Sequence, residues 1–320
     1  MRVTRMGPGG SQALRSFVEQ YRFNPYRDYR AFSPRVQSDV LMAEMCGKGS
    51  AAEPSIHVVE TGAAAVVARR LLWDSSFFRT PMARIEHVFG EDDSARCLAL
   101  EACLKFLRDD GVCHVSAQID AADNGTAVLL ERHGFCLTGG AVKYTARPRR
   151  EPPKPVRKRG RIRNLRVTDE PEVIALAEES FRAFRGRFHS DTTLPRDAVN
   201  SFYGEWARRC VAYEMADTVL VSEGQDGRLL GFLAFRRREP VSTISDVPIF
   251  GGGLGACRRD AGAAYPGLLH AGITWVHQRG GMVEVQTQNH NVATIGIYEA
   301  VGLRYRRANY SFRLWLGPNN

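Results

Sequence analysis

The two halves of the chain close on the same order of elements, and this internal repeat constrains the fold more than any other feature. In the first half a helical stretch, Ala95 to Arg108, leads through Gly111 to a strand pattern, His114 to Ile119. Asp123-Asn124-Gly125-Thr126 follows, then a helix ending Leu130-Glu131, then Gly134-Phe135. In the second half the helix is Gly267 to Gln278, the break Gly280-Gly281 and the strand Val283 to Thr287. Asn291-Val292-Ala293-Thr294, Tyr298-Glu299 and Gly302-Leu303 complete it. Asp123 to Gly134 and Asn291 to Gly302 both span eleven positions. Thr, Glu and Gly recurring at fixed offsets mark a duplicated structural unit.

Two units of the usual ~150 residues fit a chain of this length. The net charge of +9 is local, because ten Lys or Arg between Arg147 and Arg166 face a single acid, Glu151. Pro148, Pro152, Pro153 and Pro155 interleave with them and aromatics are absent, as in a stiff, solvated linker rather than a basic binding face. Nucleic acid is therefore not an expected partner. The division that follows is an N-terminal extension over 1–50, a first domain over 51–148, a linker over 149–161 and a second domain over 162–320.

No apolar run approaches the ~18–20 residues of a membrane span. Residues 1–30 are rich in Arg and Tyr without an apolar core, unlike a secretory signal, so the cytoplasm is expected and a membrane partner is not. The seven cysteines (Cys46, Cys97, Cys103, Cys113, Cys136, Cys210 and Cys257) show neither CxxC nor Cys/His ligand spacing. This argues against a disulfide framework or a zinc site, and no metal is expected.

The second half reads as an α/β (α+β) unit, a mainly antiparallel mixed sheet flanked by helices. Ile162 to Arg166 alternates as a short strand, and Pro171 to Phe184 is helical with Val173, Ile174, Ala177, Phe181 and Phe184 on one side. Pro195 opens another helix running through Ala212. Thr218 to Ser222 and Leu229 to Phe235 form a hairpin about Gln225-Asp226-Gly227, whose strands are necessarily antiparallel. A Gly-rich strand, Phe250 to Cys257, a helix from about Ala264, a strand, a helix and two short final strands complete it.

Three features of this half carry chemistry. Glycine within a strand, as in Gly251 to Gly255, marks a bulge or a close backbone approach. Arg259-Asp260-Ala261-Gly262-Ala263-Ala264 is a basic, small-residue turn entering a helix, with Pro266 in the first turn where its missing N–H is tolerated. Such a turn is either a bare helix entry or a cradle of unpaired N–H groups for a pyrophosphate. Asn291 and Tyr298 lie two turns apart on one helix face: an N-cap and a core ring, or a pair facing a ligand.

Gln288-Asn289-His290-Asn291-Val292-Ala293 through Tyr298-Glu299-Ala300-Val301-Gly302-Leu303 resembles the "N…A…YE..GF" signature of the GNAT acetyltransferase superfamily. The turn resembles that superfamily's Q/R-x-x-G-x-G/A motif. The resemblance implies two tandem GNAT-like domains and acetyl-CoA, or another acyl-CoA, as cosubstrate. It implies that Gly255, Ala256 and Cys257 run beside the thioester, where a backbone N–H holds the acyl carbonyl. Arg259, Asp260, Ala261, Gly262, Ala263 and Ala264 would take the pyrophosphate and Asn291 the pantetheine arm. Tyr298 would protonate the departing thiolate. The first domain has Asp123 and Leu130 at the Asn291 and Tyr298 positions and an acidic Glu91-Asp92-Asp93 at the turn, so it is expected to keep the shape and not the chemistry.

Leu72-Trp73-Asp74-Ser75-Ser76-Phe77-Phe78, Arg187-Phe188-His189-Ser190-Asp191 with Tyr203 and Trp206, and Asn309-Tyr310-Ser311-Phe312-Arg313-Leu314-Trp315 look like dTDP-fucosamine (dTDP-4-amino-4,6-dideoxygalactose) N-acetyltransferases and their relatives. The likeness implies a small-molecule amine acceptor, an amino sugar first. Phe188, Tyr203 and Trp206 either stack on it or pack a core. Glu284, His290 and His189 are candidate bases, none privileged by spacing. Residues 1–50, with Tyr21, Tyr26 and Tyr29, have no counterpart in the resemblance, and a homodimer is left open.

Overall fold

The computed structural model describes residues 2–5, 12–46, 56–60, 63–148, 156–182, 184 and 186–317. Residues 149–155 of the linker, residues 1, 6–11 and 47–50 of the extension, and the start of the first domain at 51–55 lie outside the described residues. In chain order the first half forms β1 (Arg2–Arg5), α1 (Gln12–Gln20), α2 (Pro34–Met45), β2 (Ile56–Glu60), β3 (Ala65–Arg70), α3 (Leu72–Phe78), β4 (Met82–Phe89), α4 (Asp93–Asp109), β5 (His114–Asp120), α5 (Asn124–Arg132) and β6 (Cys136–Ala146). The second forms β7 (Arg161–Asn164), α6 (Glu170–Phe181), α7 (Arg196–Val211), β8 (Thr218–Glu223), β9 (Leu229–Arg237), α8 (Val241–Ser245), β10 (Ile249–Cys257), α9 (Ala264–His277), β11 (Met282–Gln288), α10 (Val292–Ala300) and β12 (Arg304–Trp315). Side chains set several of these starts. Ser33 accepts the Val36 N–H at 3.3 Å to open α2, and Asp92 accepts the Ala95 N–H at 2.6 Å to open α4.

The chain divides into two compact units. Unit 1 holds Met1–Ala141, Glu239–Ser245 and Arg307–Asn320; unit 2 holds Val142–Arg238 and Asp246–Arg306. In unit 1 the strand order is β1-β2-β3-β4-β5-β12-β6. All neighbours with a given register are antiparallel except β4 and β5, which pair in parallel. Strand alternation along β3 sends Val66 and Ala68 to a core with Leu100, Leu104 and Leu107 of α4 and Leu130 of α5. Ala65 and Val67 face the other way, against Leu14 and Val18 of α1 and Leu41, Met42 and Met45 of α2. The helices α1 and α2 of the N-terminal extension are thus a packed layer of this unit.

Unit 2 has the order β6-β11-β10-β9-β8-β7, again antiparallel where register is given except for the parallel pair β10 and β11. Leu268, Leu269, Ile273 and Val276 of α9 and Tyr298 and Val301 of α10 or its C-cap pack on Leu233, Phe235, Phe250, Val283 and Val285. Each such buried apolar side chain contributes roughly 1.5–3 kcal/mol.

One pairing departs from sequence order. The strand beside β5 is not β6, which follows α5, but β12 from the end of the chain, with Asn309 opposite Asp120 and Trp315 opposite His114. The strand beside β11 is β6, from the first half. The two short final strands expected from the sequence are one strand of twelve residues.

Candidate active site

A wedge forms in unit 2 where two parallel strands stop pairing. β10 and β11 are in register over Ile249–Gly251 and Met282–Glu284, yet β10 continues to Cys257 and β11 to Gln288. On its other edge β10 shifts register against β9, Gly252 facing Phe235 and Gly255 facing Leu233, so three steps of β10 span two of β9. That extra residue is the bulge expected from the glycines. Gly252 has no room for a side chain, since a Cβ there would lie 2.6 Å from Val285 Cγ1. Gly255, half-buried, and Ala256 and Cys257 beyond it form the wall of β10 along the wedge, paired on the far side to Leu233, Phe232 and Gly231. Burial pushes the Cys257 thiol up to about 12, which makes it a packing group and not a nucleophile.

Tyr298 projects from α10 onto the opposite wall and donates to the main-chain oxygen of Gln286 on β11 at 3.2 Å. It is 3% exposed, and burial first, then the phenol of Tyr265, raises its pKa above the ordinary 10. Tyr265, the second residue of α9, is raised to about 12, chiefly by burial. The two phenols are within hydrogen-bond reach. Tyr298 gives its one proton to Gln286, so a bond between the phenols is donated by Tyr265. Both rings are protonated at neutral pH. Sequence reasoning passed over Tyr265; its only signal is its place one residue after the small-residue turn.

The turn itself is a 3-10 segment, Arg259–Ala261, followed by Gly262 at φ +50° and the start of α9 at Ala264, with Ala263 as N-cap. A helix start of this kind leaves its first N–H groups without intrahelical partners. Arg258 is committed elsewhere, its guanidinium bonding Leu229 O at 2.8 Å and Glu172 Oε1 at 3.0 Å. Arg259 and Asp260 are exposed, so Arg259 is the arginine of the turn open to a ligand. A second cation meets it from the basic stretch: Arg159 donates to Asp260 O, and its Nη1 would lie 3.9 Å from a Cβ at Gly262. Lys158 crosses α9 at Gly267. The described end of the stretch read as a linker therefore lies on the turn.

Asn291 caps α10, its Oδ1 accepting Thr294 N–H at 3.3 Å while Nδ2 donates to Thr287 Oγ1 at 3.0 Å. The cap reading is satisfied, and a lone pair of Oδ1 stays available. Of the candidate bases, Glu284 is opposite Gly251, the last registered pair before the wedge. It is buried and paired to Lys143 at 3.1 Å and to Arg238, so its charge is committed to two cations. His189 is buried against Phe184 and Tyr203, and burial pushes its pKa down. His290 is exposed beside the helix start. Phe188 and Tyr203 belong to a buried aromatic cluster between α6 and α7, with Tyr203 stacked on Phe181 at 4.2 Å and Phe188 edge-on to Phe202 at 4.9 Å. Trp206, half-buried, borders the cluster 6.3 Å from Tyr203.

Unit 1 repeats the frame and closes it. β4 and β5 pair in parallel over Met82–Ile85 and His114–Ala117, and β4 carries an extra residue at Glu86 against β3. Asp123 caps α5 as Asn291 caps α10, accepting Thr126 N–H at 3.0 Å, and Leu130 is a buried core residue where unit 2 has Tyr298. Here the N-terminal segment fills the position. The Tyr21 ring stands edge-on to His87 at 5.6 Å and to Phe89 at 4.8 Å, near the end of β4. Arg27 pairs with Asp120, the last residue of β5, at 2.8 Å.

No protein-family model matches the chain. Among solved structures, it is similar over its full length to a GCN5-related N-acetyltransferase from Sphaerobacter thermophilus, with a TM-score of 0.65, 14% identity and 96% of that chain covered. It is similar, also over its full length, to a tandem GNAT protein from the clavulanic acid biosynthesis pathway, with a TM-score of 0.58, 12% identity and 99% of that chain covered. The fold is that of the GNAT acetyltransferases. In sequence, the chain is 22% identical over 257 residues to the spore coat polysaccharide biosynthesis protein SpsD of Bacillus subtilis (strain 168), covering 77% of this chain and 82% of the relative. Among the described residues no helix is long and apolar enough to cross a membrane.

Proposed function

We propose that the chain is a cytoplasmic N-acetyltransferase that moves the acetyl group of acetyl-CoA to the primary amine of a small molecule, an amino sugar or nucleotide-linked amino sugar first. The observation that carries this reading is the wedge between β10 and β11, lined by a bulged glycine strand on one side and the Tyr298 phenol on the other. Acetyl-CoA supplies an activated acyl thioester. The turn from Arg259 to Ala264, with Arg159 beside it, offers positive charge and free N–H groups for its phosphates. Gly255 to Cys257 and Asn291 border the path of its pantetheine arm. Tyr298, held protonated, is suited to give a proton to a leaving thiolate, and Tyr265 to restore it. The sugar acceptor accords with a relative named for polysaccharide biosynthesis. Of the three sequence candidates, half-buried Trp206 is the ring left to stack on such an acceptor, while Phe188 and Tyr203 are buried in the aromatic cluster it borders.

In this reading residues 162–320 carry the chemistry, the domain over 51–148 is architectural, and the basic stretch over 149–161 is a linker whose described end, at Arg159, also serves the cofactor turn. The test is thiol release from acetyl-CoA over a panel of amino sugars, other small amines and peptides, with products identified by mass spectrometry. Turnover with a sugar amine that collapses in Tyr298→Phe is the expected result. Absence of both acetyl-CoA binding and turnover refutes the proposal, and binding without transfer to any amine reduces the chain to an acyl-CoA-binding protein.

A further inference from the structure

Three potential metal ligands converge in unit 1, away from the chemistry proposed above and independent of it. Cys97 and Glu101 are four residues apart on α4, on one face of the helix. His133, the C-cap residue of α5, approaches both. Cys97 Sγ lies 3.5 Å from Glu101 Oε1 and 3.6 Å from His133 Nε2, and His133 Nε2 lies 3.7 Å from Glu101 Oε1.

These separations lie within a few tenths of an ångström of three edges of a coordination tetrahedron. With Zn–S about 2.3 Å, Zn–N about 2.0–2.1 Å and Zn–O about 2.0–2.2 Å, tetrahedral angles give edges of roughly 3.3–3.6 Å. The ring orientation fits as well. His133 Nδ1 lies 2.8 Å from Leu129 O, and a carbonyl only accepts, so Nδ1 carries the proton. In the neutral ring Nε2 then presents a lone pair to Cys97 and Glu101, the tautomer that metal-bound histidines hold through a carbonyl partner.

A hydrogen-bonded cluster without a metal accounts for this less well. One S–H proton faces two acceptors, Nε2 and a carboxylate oxygen, and can serve only one of them. The thiol and His133 are half-buried while Glu101 is open to solvent, so a cation has a way in and a water can take the fourth position.

We propose that Cys97, Glu101 and His133 bind one zinc-class divalent cation that ties α4 to the end of α5. The S, N, O donor set suits Zn2+ and its neighbours in the first transition row and not Mg2+ or Ca2+. The linear pattern hides the site because His133 is 36 positions from Cys97. The cysteine spacing that argues against a zinc site is silent on a ligand delivered by another helix.

The full chain, stripped with a chelator, is titrated with Co2+ as a spectroscopic probe and then with Zn2+. One equivalent of Co2+ is expected to produce a thiolate-to-cobalt absorption band in the near ultraviolet that Zn2+ abolishes, that is lost in Cys97→Ser and that weakens at least tenfold in affinity in His133→Ala. A second measurement needs no variant: Zn2+ is expected to protect the Cys97 peptide of the unsubstituted protein from iodoacetamide, read by mass spectrometry. The proposal is overturned if saturating Co2+ gives no such band, if Cys97→Ser keeps it, or if Cys97 alkylates at the same rate with and without Zn2+.

Discussion

The phenols of Tyr298 and Tyr265 come within hydrogen-bond reach of each other from two helices, α10 and α9, that follow the two walls of the wedge. A phenylalanine would keep the packing of the Tyr298 ring and remove only the hydroxyl that donates to Gln286 O. Tyr298→Phe is therefore expected to lower the rate of acetyl transfer roughly 100-fold while leaving the KM for acetyl-CoA within about twofold. An unchanged rate would remove Tyr298 from the reaction. Tyr265→Phe should have a smaller effect, because it acts through Tyr298.

Two arginines from distant parts of the sequence meet at the turn into α9 that is proposed to hold the cofactor phosphates, Arg259 on it and Arg159 against Asp260 O. Each is solvent-exposed, so each contributes about 1 kcal/mol or less to phosphate binding. Arg159→Ala and Arg259→Ala are expected to raise the Kd for acetyl-CoA about threefold to fivefold each. The double variant should bind with a weaker dependence on salt. Calorimetric titration at two ionic strengths decides it; equal affinities at both would place the phosphates elsewhere.

Arg163 holds Asp169 through two bonds, at 2.6 and 3.0 Å, and Glu223 through two more, at 3.0 and 3.1 Å, joining β7, the turn after it and β8. The guanidinium pulls both carboxylates below their usual range, Asp169 and Glu223 alike, with the bonds to Arg163 the largest cause in each. A folded-state pKa below the unfolded one gives stability that is full above the unfolded value near 4 and is lost as pH falls through the folded value. Denaturant melts of the wild type and Arg163→Met should thus differ at pH 7 and converge as the pH falls through the folded-state values of the two carboxylates. A gap that widens on acidification would contradict this assignment.

The wedge depends on a missing side chain. A Cβ at Gly252 would press into Val285 at 2.6 Å, whereas one at Gly253 would find nothing nearer than 3.6 Å. Gly252→Ala is expected to lose about 1–3 kcal/mol of unfolding free energy, and Gly253→Ala to change it by less than about 1 kcal/mol. Urea denaturation of the two variants separates the effects.

Tyr21 is predicted to matter for folding and not for chemistry. Removing its ring from His87 and Phe89 with Tyr21→Ala should destabilise the protein by about 2 kcal/mol or more with acetyl transfer unchanged below the melting range. Faster transfer, or a new acyl-CoA site detected by titration, would mean that the segment masks a working second site.

Much of the site could be read in the sequence because it is local. The Asn291 cap, the Gly-rich bulge, the turn into α9 and the eleven-residue spacing of the repeat each depend on residues a few positions apart, and the elements of the second half follow their periodicities except where the helix expected to Phe184 ends at Phe181 and the two short final strands prove to be one. The features that could not be read are the long-range ones. Nothing in the run from Arg147 to Arg166 indicates that Arg159 turns back onto Asp260, about a hundred positions on. Phe188 and Tyr203 have the composition of a sugar platform and the burial of a core, a distinction that only packing makes. Glu284 looks like a free base until Lys143 of β6 and Arg238, the residue after β9, are brought to it.

The register of Asn309 against Asp120, and of the rest of β12 along β5, has a consequence for the history of such a chain. A tandem duplication ordinarily yields two modules that can later be lost, shuffled or fused to other genes one at a time. Here a copy cut at the basic stretch would surrender the strand that covers its own parallel pair and expose a long unpaired edge prone to aggregation. The half that carries Leu130 where the other carries Tyr298 still supplies β5, the strand on which β12 pairs, so it is needed for that pairing whatever its own chemistry.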